Sequence, residues 1–231
     1  LERRILESMA IKLILIRHAE SDGNVQKRFC GFKDVHLTKK GIGQAERLSY
    51  RLKGVPVDEV YCSDLKRAQH TAEIIFKDRG IDIIINPKFR EINFGIWEGY
   101  TFDEVKSKYG YGDEFNLWFE NINEKIKIPK GESLIDLNDR VMTELGKILK
   151  RDKKVNKDKT IALVCHGGTI RVILGNALNL ELKYIWNIEQ DSTALNIINY
   201  YDHKAFVALI NDTSHLEDWW KSGWLKEKRD E

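Results

Sequence analysis

The sequence predicts an α/β fold in three layers, with a mostly parallel central sheet and helices on both faces. Three observations carry this expectation. Short apolar or β-branched runs recur along the 231 residues. The stretches between them carry apolar residues at helical spacing, and strands alternating with amphipathic helices build parallel sheets covered on both sides. The composition is 42% hydrophobic and 32% charged, which suits a soluble globular chain long enough to bury a full core without covalent staples.

The elements follow in order. Ile11–Ile16 (IKLILI) reads as a first buried strand. From Thr38 to Leu52, Ile42, Ala45, Leu48 and Leu52 mark one face of a helix that Thr38 can cap and Gly54 can end. Val57–Cys62 is a second strand, and Leu65, Ala68, Ala72, Ile75 and Phe76 form the stripe of a second helix. Ile81–Ile85 is a third, β-branched strand. Ser133 opens a helix with Leu134, Leu137, Val141, Leu145 and Ile148 on one side. Thr160–Cys165 is a fourth strand, followed by a helix from Thr169 to Ala177. Ala194–Tyr200 and Lys204–Ile210 read as two more strands.

Residues from about 100 to 130 break the alternation. Thr101 with Glu104 is a capping box, and Phe102, Tyr109, Tyr111, Phe115, Trp118 and Phe119 crowd the segment. It reads as a small helical insertion over one end of the sheet. Residues 1–8 precede Met9 and read as an extension or tag remnant, leaving a single domain over 9–231.

Other classes are disfavoured. Lys and Arg number 38 against 36 Asp and Glu, so the basic excess of a nucleic-acid protein is missing. No apolar run approaches the roughly 18 residues that would span a bilayer. Cys30, Cys62 and Cys165 are odd in number and lack C-x-x-C spacing, which points to free thiols in a reducing, cytoplasmic compartment.

In an open parallel sheet, ligands bind beyond the carboxyl ends of the strands. Arg17 and His18 follow the first strand. Ser63 and Arg67 follow the second, Glu91 the third and His166 the fourth. Two arginines, two histidines and a carboxyl group therefore converge from four segments. Guanidinium forks suit a phosphate dianion. A neighbouring histidine can be the nucleophile, and a carboxyl group can serve as acid and then base.

The segments LIRHAES, YCSDLKRAQHTA, REINFGIWEG, PKGES and CHGGTIR resemble, in order and spacing, the motifs of the histidine phosphatase superfamily over about residues 11–216. The resemblance implies a phosphoglycerate mutase-like fold and a reaction through phosphohistidine, without metal or cofactor. It makes His18 the nucleophile, has Arg17, Arg67 and His166 bind the transferring group, and gives Glu91 the proton transfers. Asn24, Ser63 and Gly167 are the further substrate-binding expectations. Ala19, Asp64 and His70 depart from the commoner pattern at positions that do not carry the reaction.

The segment after Glu91 looks like the phosphatase branch rather than the cofactor-dependent phosphoglycerate mutases. Within that branch, REINFGIWEG, PKGES, HGGTIR and LINDTSHL resemble the α-ribazole-5′-phosphate phosphatases of cobalamin assembly, whose base the insertion's aromatics would stack upon. The alternative is a broad phosphatase of sugar phosphates or phosphoglycerates, with a mutase third. The expected partner is a small phosphate monoester, with no nucleic acid and no membrane. The bland readings stay beside these. His36, His70, His203 and His215 read as structural or surface residues, and Cys165 as a core hydrophobe. Trp219, Trp220 and Trp224 read as packing residues, with a homodimer contact as the alternative.

Overall fold

A computed structural model describes residues 10–108, 117–118, 122–153, 158–201 and 204–216. In chain order the elements are β1 (Ala10–Arg17), α1 (Asp22–Val25), α2 (Lys39–Leu52), β2 (Glu59–Cys62), α3 (Lys66–Phe76) and β3 (Ile83–Ile85). There follow α4 (Phe102–Lys108), α5 (Leu134–Lys153), β4 (Lys159–Cys165), α6 (Gly167–Ala177), β5 (Leu195–Tyr201) and β6 (Lys204–Asp212). The strands form one sheet in the order β3-β2-β4-β1-β5-β6.

Strands β3, β2, β4 and β1 run parallel, while β5 is antiparallel to β1 and to β6. The sheet is therefore mixed. A parallel pair needs a crossover of roughly a dozen residues or more, and the link between β5 and β6 is far too short for one. Strand direction was the part of the sheet that apolar runs alone did not carry.

The parallel strands are apolar on both faces because both are covered. Along β1, Ile11, Leu13 and Leu15 join one buried cluster, with Leu137, Val141 and Leu145 of α5 and Ile170 and Ile173 of α6. Ile14 and Ile16 join the other, with Ala45, Leu48 and Leu52 of α2 and Ala68, Ala72 and Ile75 of α3. Helix α2 begins where expected, with the Gly41 N–H donating to Thr38 Oγ1 at 3.0 Å.

Within the insertion, the capping box is made: the Thr101 N–H donates to the Glu104 carboxylate at 2.8 Å, and the Glu104 N–H donates to Thr101 Oγ1 at 3.2 Å. Trp118 is 1% exposed and packs edge-on against Trp97, with ring centroids 6.3 Å apart. It is a core residue rather than a platform for a ligand. Tyr109, Tyr111, Phe115 and Phe119 lie outside the described residues, as do residues 1–8 and Trp219, Trp220 and Trp224. Among the described residues no helix is long and apolar enough to cross a membrane.

Two glycines of α2 give a stability test. A Cβ on Gly41 would lie 2.0 Å from the Glu20 carbonyl oxygen, whereas one on Gly43 would meet nothing within 4 Å. Gly43→Ala should stabilise the fold by about 0.5–1 kcal/mol through helix propensity. Gly41→Ala should cost about 1–3 kcal/mol, because the backbone of Glu20 must move. Urea unfolding of both variants reads the two signs; equal effects would mean that the Glu20–Gly41 contact is not as close as described.

Candidate active site

The register of the sheet assembles the site. Arg17 and Cys165 are partners across the parallel pair β1 and β4, so the residues that follow them, His18 and His166, emerge side by side. Their ring centroids are 5.2 Å apart. The His18 N–H donates to the Cys165 carbonyl at 2.9 Å, which ties the two strand ends together. His166 also stands at the N-terminus of α6, in extended conformation.

The tautomer of His18 follows from its partner. Its Nδ1 lies 2.8 Å from the Ala19 carbonyl, which can only accept. Nδ1 therefore carries the proton, and Nε2 keeps its lone pair. Burial pushes the His18 imidazole well below the ordinary histidine pKa, and the guanidinium groups of Arg67 and Arg17 push it further down. Burial and the same cations act on His166 in the same direction. Both rings are thus neutral at pH 7.

Ser63 is fully buried, and its hydroxyl lies 2.8 Å from His166 Nε2. The contact holds the His166 ring in place, and Ser63 is not among the residues that line the cavity around His18 and Arg67. When the hydroxyl donates to Nε2, Nδ1 holds the proton. Nδ1 is buried without a partner in the protein, a donor available to an incoming oxygen.

The two arginines are fixed by backbone carbonyls. Arg67, 2% exposed in the first turn of α3, donates from Nη1 to the Lys33 carbonyl at 3.0 Å and from Nη2 to the Gly31 carbonyl at 2.8 Å. Arg17 donates from Nη1 to the Gln190 carbonyl, while its buried Nε has no protein partner. Burial lowers the pKa of both guanidinium groups, and the Glu91 carboxylate opposes that. They remain cations all the same.

Glu91 is held at the N-terminus of α6. Its two oxygens accept the Gly168 N–H at 3.0 and 3.1 Å, and Oε1 also accepts the Ile92 N–H at 2.9 Å. A Cβ on Gly168 would lie 2.3 Å from Oε1, so only glycine admits the carboxylate here. A Cβ on Gly167 would lie 2.8 Å from Arg171 Nη1, so this helix start is tightly enclosed by charged groups. Asn24 turns its Oδ1 to the backbone N–H and hydroxyl of Ser21, at 3.0 and 2.8 Å. Among the described residues, Arg17, His18, Asn24, Arg67 and Glu91 line a single cavity of about 150 Å³.

Some participants were not singled out in the sequence. Arg171 donates from Nε to the Ile188 carbonyl at 2.7 Å and lies over the Trp186 ring. It steadies the same loop that supplies Gln190 to Arg17. Gln190 is itself fixed by a reciprocal amide pair with Asn196, both bonds 2.9 Å. Arg171 stood within the HGGTIR segment, so a signal existed; Gln190 and Asn196 had none. His215 bonds Thr193 Oγ1 at 2.9 Å, and burial pushes its pKa down to about 4. It supports the chain beside His18 from outside the cavity. Cys165 is buried and its thiol pKa is raised by that burial, as a core residue requires.

The model of the histidine phosphatase superfamily (branch 1) matches residues 13–213. The chain is 30% identical over 210 residues to phosphoserine phosphatase 1 of Hydrogenobacter thermophilus, covering 91% of this chain and 96% of that one. It is 27% identical over 201 residues to the adenosylcobalamin/α-ribazole phosphatase of Escherichia coli, covering 87% and 96%. The solved structure of Bacillus stearothermophilus YhfR superposes with a TM-score of 0.81 at 30% identity, covering 90% of this chain and 100% of that one. The sheet, the strand-end histidines and these matches agree: the chain belongs to the histidine phosphatase superfamily.

Proposed function

We propose that the protein hydrolyses small phosphate monoesters through a phosphohistidine at His18, without a metal ion. One observation carries the reading. The Nδ1 proton of His18 is committed to Ala19, so Nε2 offers a lone pair in a cavity walled by Arg17 and Arg67, with Glu91 on its lining.

The mechanism follows from those positions. Substrate phosphoryl oxygens take hydrogen bonds from Arg17 Nε, from Arg67 and from His166 Nδ1. These donors are positioned before the reaction, and donors that need no reorganisation stabilise charge as it develops. Nε2 attacks phosphorus in line; the N–P bond forms as the ester P–O bond breaks. Glu91, a carboxylate in the free site, takes up the proton of a monoanionic phosphate ester and passes it to the leaving alkoxide. A water then gives its proton to the Glu91 carboxylate while its oxygen attacks phosphorus. The N–P bond breaks, His18 is restored and inorganic phosphate leaves.

On substrate, the described cavity fits the phosphoryl group and a compact alcohol. Trp118 is buried and offers no face to a ribazole base, Phe102 is partly exposed, and Tyr109, Tyr111, Phe115 and Phe119 lie outside the described residues, so stacking lends the ribazole reading no support beyond its likeness to α-ribazole phosphatases. We therefore place compact esters first, with L-phosphoserine at their head on the strength of the likeness to phosphoserine phosphatase 1. α-Ribazole 5′-phosphate is the second reading, carried by the likeness to the E. coli enzyme. The three free thiols suit a reducing, cytoplasmic setting.

The decisive experiment is a screen of phosphate monoesters that includes L-phosphoserine, α-ribazole 5′-phosphate and sugar phosphates. Phosphoglycerates serve as the mutase control, and each active substrate is followed by acid-quench trapping of the phosphoenzyme. An acid-labile adduct on His18, absent from His18→Ala, is expected. Turnover that survives His18→Ala would end the proposal.

Glu91→Gln should slow the hydrolysis of alkyl esters by about a hundredfold to ten-thousandfold, the usual worth of a positioned acid. p-Nitrophenyl phosphate, whose phenolate leaves unaided, should be affected far less. Equal losses on both substrates would take Glu91 out of the proton transfers.

His18 should also stay unprotonated below the normal histidine range, since burial and both arginines oppose the imidazolium. In a ¹⁵N NMR titration from about pH 8 to about pH 6, its ring should remain the neutral Nδ1–H tautomer, whereas an ordinary midpoint near 6.5 would contradict the site described.

A further inference from the structure

The loop that Arg67 grips is gripped from its other side as well. Arg67 takes the carbonyls of Gly31 and Lys33. The N–H groups of Phe32 and Lys33 donate instead to Glu98, at 2.7 Å to Oε1 and 2.8 Å to Oε2. Each carboxylate oxygen therefore holds one amide of the Gly31–Lys33 segment, whose first and last carbonyls hold the guanidinium. Gly31 makes this approach feasible. Its φ is +40°, and a Cβ there would lie 2.2 Å from Glu98 Oε1 and 2.8 Å from the Ile92 carbonyl. The neighbouring backbone is pinned too: Gly99 N–H donates to the Phe29 carbonyl at 2.7 Å, and Phe29 N–H donates to the Tyr100 carbonyl at 2.9 Å.

We infer that Glu98 is a positioning residue for phosphoryl binding: it acts through the Gly31–Lys33 loop to fix the carbonyls that aim Arg67. Resting on the catalytic reading of Arg67 given above, the assignment adds a residue outside the reacting set. The loop is held between two carbonyls that accept from Arg67 and two amides that donate to Glu98. Without the carboxylate, the Phe32 amide loses its acceptor and the Lys33 amide keeps only the Cys30 carbonyl, at 2.6 Å, so the Gly31 and Lys33 carbonyls and the guanidinium they aim are less firmly fixed. Burial pushes the Glu98 carboxyl pKa upward, and the two amides and Arg67 offset that. A half-buried carboxylate spent on loop amides alone would be a costly way to close a turn. Its link to a buried cation explains the placement.

The test is a double-mutant cycle in which the ligand is orthovanadate and the readout is calorimetric affinity, so that binding is measured apart from turnover. Glu98→Gln keeps the shape of the side chain but gives one of the two amides a donor to face. It should weaken vanadate binding by about tenfold to a hundredfold, the scale of loss when a binding group is misplaced. Arg67→Ala should weaken binding by at least as much, and the double variant should be no worse than Arg67→Ala alone. Glu98→Asp, shorter by one methylene, should fall between wild type and Glu98→Gln, and it serves in place of Glu98→Gln should that variant fail to fold. Losses that simply multiply in the double variant would show that Glu98 acts independently of Arg67 and would overturn the inference, as would wild-type affinity in Glu98→Gln. A wild-type protein that binds vanadate but turns over no monoester would count against the hydrolase reading, while the binding cycle would still decide the role of Glu98.

Discussion

The site depends on keeping two guanidinium groups charged where water is largely excluded. Moving an ion from water into a protein interior costs roughly several kcal/mol even after relaxation. The fold answers with fixed acceptors rather than with a single counter-ion. Gln190 supplies a carbonyl to Arg17, and Gly31 and Lys33 supply carbonyls to Arg67. Glu91 adds the negative charge that both arginines feel. Carbonyls leave the positive charge unneutralised, and that is what an anionic substrate requires. Salt-bridged arginines would have to break a bond before they could bind it. Two other arginines show the other solution: Arg90 pairs with Asp64 and Arg140 with Glu132 through charge-assisted bonds.

The sheet supplies the precision. Adjacent parallel strands end together, so β1 and β4 deliver their histidines at one level and within ring contact of each other. The N-terminus of α6 then presents an amide to Glu91, and α3 brings Arg67 in its first turn. Arg17 ends β1, His18 and His166 directly follow β1 and β4, Arg67 lies in the first turn of α3, and Glu91 comes six residues after β3. Loops fill the space between these anchors, and their backbone polar groups are consumed by the site rather than left to solvent.

The groups that the structure brings together at the strand ends were legible in the sequence because they cluster near the carboxyl ends of strands. Each of Arg17, His18, Arg67, Glu91 and His166 follows a recognisable strand, and the strands themselves were marked by apolar runs buried on both faces. The supporting set was less legible. Glu98 stood within the REINFGIWEG segment, but its bonds to the amides of Phe32 and Lys33, like the bond from Arg17 to the Gln190 carbonyl, join peptide groups far apart in the chain, and peptide groups have no sequence signature. Ser63 was seen, but spacing alone does not show that its hydroxyl meets His166 Nε2. Trp118 was seen as part of an aromatic cluster, yet composition cannot distinguish a ring that stacks on a ligand from one that packs on Trp97. The antiparallel direction of β5 and β6 is a matter of connection length, which the apolar pattern does not encode.

A single electrostatic field accounts for both halves of the proposed chemistry. The cations that would bind phosphoryl oxygens are those that disfavour protonation of His18 and His166. An imidazole that picked up a proton would lose its nucleophilic lone pair; burial opposes this first, and the nearby guanidinium groups add to it without touching the ring. Once a dianionic phosphoryl group arrives, it takes up that positive potential and the attack meets phosphorus with its charge already balanced. Ala19 completes the arrangement by holding the Nδ1 proton, so the ring has one way to react. Weakening either arginine would therefore loosen substrate and make the nucleophile more basic at the same time. A neutral residue in their place would leave only burial to oppose the imidazolium and would offer no charge to the phosphoryl oxygens.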